Sequence, residues 1–98
     1  MKKARQYRVY ILASKKQGEL YIGLTTNIRR RIAEHAEKQS KGFSKKHGIT
    51  ILVHCEEYAN SSDAIRREKQ LKDWRKEWRM NIIEEKNPDW ADLSEAGV

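Results

Sequence analysis

A chain of 98 residues, 38% hydrophobic and 36% charged, has apolar material for one core under a densely ionic surface, which excludes a two-domain layout. Its formal charge of +7 favours a polyanionic partner, nucleic acid ahead of an anionic membrane, because clustered cations gain by displacing counterions condensed on phosphates. Apolar runs such as Val9 to Ala13 are too short for a bilayer, the basic opening Met1 to Arg5 lacks the apolar region of a signal peptide, and the lone Cys55 matches neither a disulfide nor a zinc pattern, so the reading is cytoplasmic with no membrane contact.

From Tyr7 to Leu12, Tyr-Arg-Val-Tyr-Ile-Leu is rich in β-branched and aromatic residues and predicts a strand. After a polar loop around Ser14 to Gly18, Leu20-Tyr21-Ile22-Gly23 predicts a second strand close enough for an antiparallel hairpin. A four-residue loop, Ser14 to Gln17, places Tyr10 directly across from Tyr21. Thr25, Thr26 and Asn27 suit a helix N-cap, and Ile28, Ile32, His35 and Ala36 follow at helical spacing. Lys38 to Gly48 shows no periodicity and reads as a basic loop. Ile49 to Tyr58 predicts a third strand with Cys55 in the core.

Ser61, Ser62 and Asp63 cap a second helix through Ala64, Ile65, Glu68, Leu71 and Trp74, which continues or bends through Trp78 and Ile82 until Asn87-Pro88 stops it. Trp74, Trp78 and Trp90 read as packing residues, and the acidic tail is expected to dock through Trp90 and Leu93 and to be mobile beyond Leu93. The order β-β-α-β-α predicts an α+β fold, a small three-stranded antiparallel sheet flanked by helices. It forms a single domain over residues 1–98, with residues 7–90 as its core.

Arg31 and His35 form an i,i+4 pair beside the Ile28 and Ile32 stripe. Glu68 shares a helix face with Ala64, Ile65 and Leu71, where an ionised carboxylate needs an Arg, a Lys or a divalent metal beside it. Each residue also has a plainer reading. Tyr10 and Tyr21 are a cross-strand aromatic pair, Arg31 belongs to a solvated run from Arg29, and Glu68 pairs with the cations around it on the surface. Lys38, Lys41, Lys45 and Lys46 are solubility charges or, beside Phe43, contacts to phosphates and bases.

The joint arrangement resembles the GIY-YIG endonuclease family, seen in the nuclease domain of excinuclease and in phage intron homing endonucleases. Arg8-Val9-Tyr10 stands where that family has Gly-Ile-Tyr, and Tyr21-Ile22-Gly23 is the second signature itself. Thr26-Asn27-Ile28-Arg29-Arg30-Arg31 leads to the helix arginine, His35 falls where the family carries His or Tyr, and Glu68 falls at the metal-binding glutamate. Glu68-Lys69-Gln70-Leu71-Lys72 and Lys86-Asn87-Pro88-Asp89-Trp90 are similar to the short stand-alone bacterial members. Arg8 and Leu24 depart from the pattern, Leu24 replacing a lysine of the excinuclease relatives, and the family's late asparagine corresponds to Asn81 or, preferably, Asn87.

The resemblance implies hydrolysis of phosphodiester bonds in nucleic acid, DNA ahead of RNA, with one divalent cation, Mg2+ or Mn2+, held by Glu68. It implies Tyr21 as general base with Tyr10 in support, Arg31 on the scissile phosphate, and His35 bonding a tyrosine or receiving a proton. Lys41, Lys45, Lys46 and Asn87 are the expected nucleic-acid contacts. A domain this small has few recognition contacts, so a homodimer, a partner protein or a branched substrate is expected to supply specificity. The rival readings are a catalytically silent basic binding module and an interaction protein whose charge serves solubility.

Overall fold

The computed structural model describes residues 6–40 and 48–96. The sequence folds into β1 (Tyr7–Ala13), β2 (Leu20–Thr25), α1 (Ile28–Ser40), β3 (Ile51–Tyr58), α2 (Ser61–Asp73) and α3 (Lys76–Lys86), followed by a 3-10 turn (Leu93–Ala96). The strands form an antiparallel sheet in the order β2-β1-β3. As the central strand, β1 is covered on both faces, which explains its nearly unbroken apolar run.

Alternation along β1 divides the core between those faces. Val9, Ile11 and Ala13 pack with Ile22, Val53, Ala64, Leu71, Ile83 and Trp90 on the side of α2 and α3. Tyr10 and Leu12 pack with Leu52 and Ile28 on the side of α1, where Ile32, Ile49 and Leu93 complete the cluster. This is the expected α+β architecture with one helix more.

The extra helix arises because the second helical stretch bends. Trp74 and Arg75 take extended backbone with ψ of 151° each, and Arg79 reaches back to donate to the carbonyls of Leu71 (2.7 Å), Lys72 (2.9 Å) and Trp74 (2.8 Å). A guanidinium thus satisfies the carbonyls that the end of α2 leaves open. At the other end, Asn60 rather than Ser61 to Asp63 is the N-cap, its Oδ1 accepting the Asp63 N–H at 2.9 Å.

A half-buried ionic cluster fastens α2 to β3. Arg67 donates through Nε to Glu56 Oε1 (2.9 Å) and through Nη2 to Oε2 (3.0 Å), the Tyr58 hydroxyl donates to Oε1 (2.6 Å), and His54 Nε2 lies 2.8 Å from Oε2. Burial alone would raise the Glu56 carboxyl. The hydrogen bonds from His54, Arg67 and Tyr58, with the Arg67 charge, outweigh it and hold the group well below the usual carboxylate range. Tyr58 is pushed up to about 12 by its own burial and by donating to Glu56.

Several expectations are corrected. The hairpin loop has six residues, Ser14 to Glu19, because the Ser14 N–H donates to the Glu19 carbonyl and its Oγ accepts the Glu19 N–H, both at 3.0 Å. Ala13 therefore pairs with Leu20, Leu12 with Tyr21, and Tyr10 with Gly23 rather than Tyr21. Helix α1 runs to Ser40, into the segment expected to be loop, and β3 starts at Ile51 rather than Ile49. Cys55 is half-buried rather than a core residue, while Ile65 and Trp78 are exposed. Trp90 is buried and Leu93 packs, as expected of docking residues, and the turn carries regular structure past Leu93 to Ala96.

Candidate active site

Residue parity in two neighbouring strands brings the tyrosines together. Tyr10 and Gly23 are paired, so Tyr21, two residues earlier on β2, is the diagonal neighbour of Tyr10 on the same face. The ring centroids are 6.2 Å apart at 36°. Gly23 is what permits this arrangement: a Cβ there would clash with the Tyr10 hydroxyl and Cζ and lie 2.9 Å from Cε1, so the phenol ring lies over bare backbone. Sequence reading used Gly23 only as part of a motif; a glycine inside a strand is itself the signal of such a close approach.

Helix α1 supplies the third ring. Asn27 caps it, with Oδ1 accepting the Arg30 N–H at 3.1 Å, and this sets the helical phase that turns His35 toward the sheet. His35 lies edge-on to Tyr21 at 4.9 Å and 65°, and to Tyr10 at 6.4 Å and 75°. Tyr10 is buried at 1% exposure, whereas Tyr21 is 41% exposed and open to solvent. One phenol is interior and the other is at the surface.

The electrostatics follow that division. Burial, then the proximity of Tyr21, a hydrogen bond with it and the charge of Glu68 raise Tyr10 above the ordinary phenol range, with Arg31 opposing. Arg31 from α1 and Glu68 from α2 therefore both act on the buried hydroxyl, although the helices pack on opposite faces of the sheet. Arg31 is partly exposed and 3.7 Å from Glu34, which also pairs with Arg30 at 3.3 Å. A cavity of about 220 Å³ opens here, lined by Thr25, Thr26, Asn27, Arg30, Arg31 and Glu34.

Glu68 is 20% exposed, on the side of α2 that carries the buried Ala64 and Leu71, and its Oε2 lies 3.3 Å from Lys72 Nζ. The partner that its position called for includes a lysine one turn further on. Among the described residues no group of three or more His, Cys, Asp or Glu could hold a metal ion. A single accessible carboxylate still suits Mg2+, which keeps most of its waters when bound by one or two carboxylates.

Lys41, Lys45 and Lys46 lie outside the described residues. Asn87 is buried, donating to the Val53 (3.1 Å) and Ala91 (2.9 Å) carbonyls and accepting the Ala91 N–H (2.9 Å). Its amide ties the tail to β3, which leaves it no group to offer a ligand in this conformation; Asn81 is exposed. Leu24 packs on the α2 side of the core, and Arg8 pairs with Glu57 at 3.1 Å.

The family profile described as the GIY-YIG catalytic domain matches residues 6–81, and the chain belongs to this nuclease family. Within it, the similarity is to short stand-alone proteins. A UPF0213 protein of Staphylococcus haemolyticus is 35% identical over 83 residues, covering 85% of this chain and 99% of that one. Another, from Natronomonas pharaonis, is 35% identical over 69 residues, with 70% and 80% covered. The solution NMR structure of a UPF0213 protein from Bacillus halodurans aligns with a TM-score of 0.56 at 25% identity, covering 95% of this chain and 98% of that chain. No helix among the described residues is long and apolar enough to cross a membrane.

Proposed function

We propose that the protein is a divalent-metal-dependent endonuclease that hydrolyses phosphodiester bonds in nucleic acid, DNA ahead of RNA. The observation that carries this reading is the unequal pair of tyrosines, one interior and the other exposed beside a histidine, with the charges of Arg31 and Glu68 near the interior hydroxyl.

Tyr10, the interior partner, is hydrogen-bonded to Tyr21 and so fixes the position of that hydroxyl. Tyr21 faces solvent and takes a proton from the attacking water as it passes its own hydroxyl proton to His35 on its edge; the water oxygen bonds to phosphorus, the P–O bond to the leaving strand breaks, and the departing oxygen takes a proton from solvent. Arg31 lies beside the polar cavity and presents a planar fork to a phosphate, offsetting charge that grows on the equatorial oxygens. Glu68 is the residue that would hold Mg2+ or Mn2+, turning from Lys72 to do so. A cation bound there supplies further positive charge at the phosphate.

Incubation of labelled flaps, nicks, single strands and duplexes with Mg2+, Mn2+ or EDTA tests the proposal. Internal cutting with either metal and none in EDTA is the expected result. Salt-sensitive binding without cutting on any substrate would instead identify a silent binding module.

A further inference from the structure

The corner between α2 and α3 carries a feature that the site does not use. Trp78 is 52% exposed, in contrast to the buried Trp90. Its ring meets Trp74 edge-to-face at 6.0 Å and 85°, and the Arg67 guanidinium lies 5.0 Å over the Trp74 ring. The three carbonyl contacts of Arg79 fasten the backbone beneath. The indole is therefore held in place on a rigid corner, with much of its surface facing water.

Its surroundings are strongly basic. Residues 66–79 hold seven Lys and Arg against three acidic side chains, so a seventh of the chain supplies more than half of its net +7. Lys69, Arg75 and Lys76 are exposed there, Arg75 and Lys76 within three residues of Trp78. An exposed aromatic alone means little, but an aromatic in a cationic field matches how proteins hold unpaired nucleotides. The rings offer a π-face to a base and the cations meet the flanking phosphates.

We propose that Trp78 is a stacking platform for an unpaired base, with Arg75, three residues earlier at the start of α3, on an adjacent phosphate. This rests on the nucleic-acid reading above and deepens it: the protein takes substrates that carry unpaired nucleotides. Bases inside a blunt duplex are stacked on each other and offer the indole no free face.

The test is titration of the full chain with a single strand containing 2-aminopurine and with a blunt duplex of equal length, followed by anisotropy and by 2-aminopurine emission. Trp78→Leu keeps an apolar contact with Trp74 but removes the π-face, and Trp78→Phe restores a smaller one. Trp78→Leu should weaken single-strand binding about tenfold and abolish the change in 2-aminopurine emission, Trp78→Phe should recover most of both, and duplex affinity should stay within about twofold. Equal single-strand affinity for parent and Trp78→Leu, or an equal loss on both nucleic acids, would overturn the platform while leaving the nuclease reading standing. A parent protein that binds neither overturns both.

Discussion

One methyl group can test how the tyrosines are seated. In Gly23→Ala the new Cβ would clash with the Tyr10 hydroxyl and Cζ, so the ring or the strand must shift. Overpacking of this kind costs about 1–3 kcal/mol, and we expect a lower urea midpoint together with loss of cleavage. Tyr21→Phe separates shape from chemistry, because it keeps the ring contact with His35 and deletes only the hydroxyl, which is open to solvent and bonds the Tyr10 hydroxyl. Cleavage should fall about 100-fold or more, beyond what the cost of about 1–3 kcal/mol for leaving the buried Tyr10 hydroxyl without that partner explains; parental activity would leave the pair as packing alone.

Glu68→Gln removes a partly screened pair with Lys72, so its stability cost should stay within about 1 kcal/mol. Calorimetry should show Mg2+ or Mn2+ raising the melting temperature of the parent but not of the variant, with cleavage lost. The side-chain types and the parity of the tyrosines were legible in the sequence, as was the need of Glu68 for a partner. The register was not. It depends on the two Ser14–Glu19 hydrogen bonds that lengthen the loop, and polar residues there allow either length.

At the scale of elements, the docking of α2 depends on the Glu56 cluster. Because the folded carboxyl is held below its ordinary value, its stabilisation is fully present above the unfolded value of about 4.3 and is lost as pH falls below it. Urea midpoints measured from pH 7 downward should drop below about pH 4.3. Glu56→Gln should cost about 1–3 kcal/mol at pH 7 and flatten this acid limb, since the half-buried Arg67 is left without its carboxylate. An unchanged acid limb would place the sensitivity in other carboxylates. Residues 61–86 show why helix ends are hard to read: no glycine or proline marks Trp74, and the bend is stabilised by Arg79, whose side chain gives no local pattern. The exposure of Ile65 depends likewise on how α2 lies on the sheet, which periodicity leaves open.

For the whole molecule, the order of strands and helices followed from hydrophobic alternation and capping residues, because β1, β2 and β3 each carry a buried face that local sequence reports. The charge was equally plain. If binding is mainly electrostatic, the logarithm of the association constant should fall linearly with the logarithm of salt concentration, with a slope that counts the phosphates neutralised. A flat dependence would remove nucleic acid as the leading partner.

The sheet order also sets when the site is completed as the chain is made. Tyr10, Tyr21, Arg31 and His35 belong to β1, β2 and α1, whose strands pair across a six-residue loop. Glu68 follows β3, which joins β1 by pairings as distant as Tyr7 with Tyr58. A nascent chain can therefore assemble both phenols and the guanidinium before its acid has left the ribosome, and such a half-made domain could grip a nucleic acid without cutting it. In the proposed mechanism the carboxylate is therefore added after the residues that grip the phosphate, on a helix that packs into the core together with α3 and Trp90.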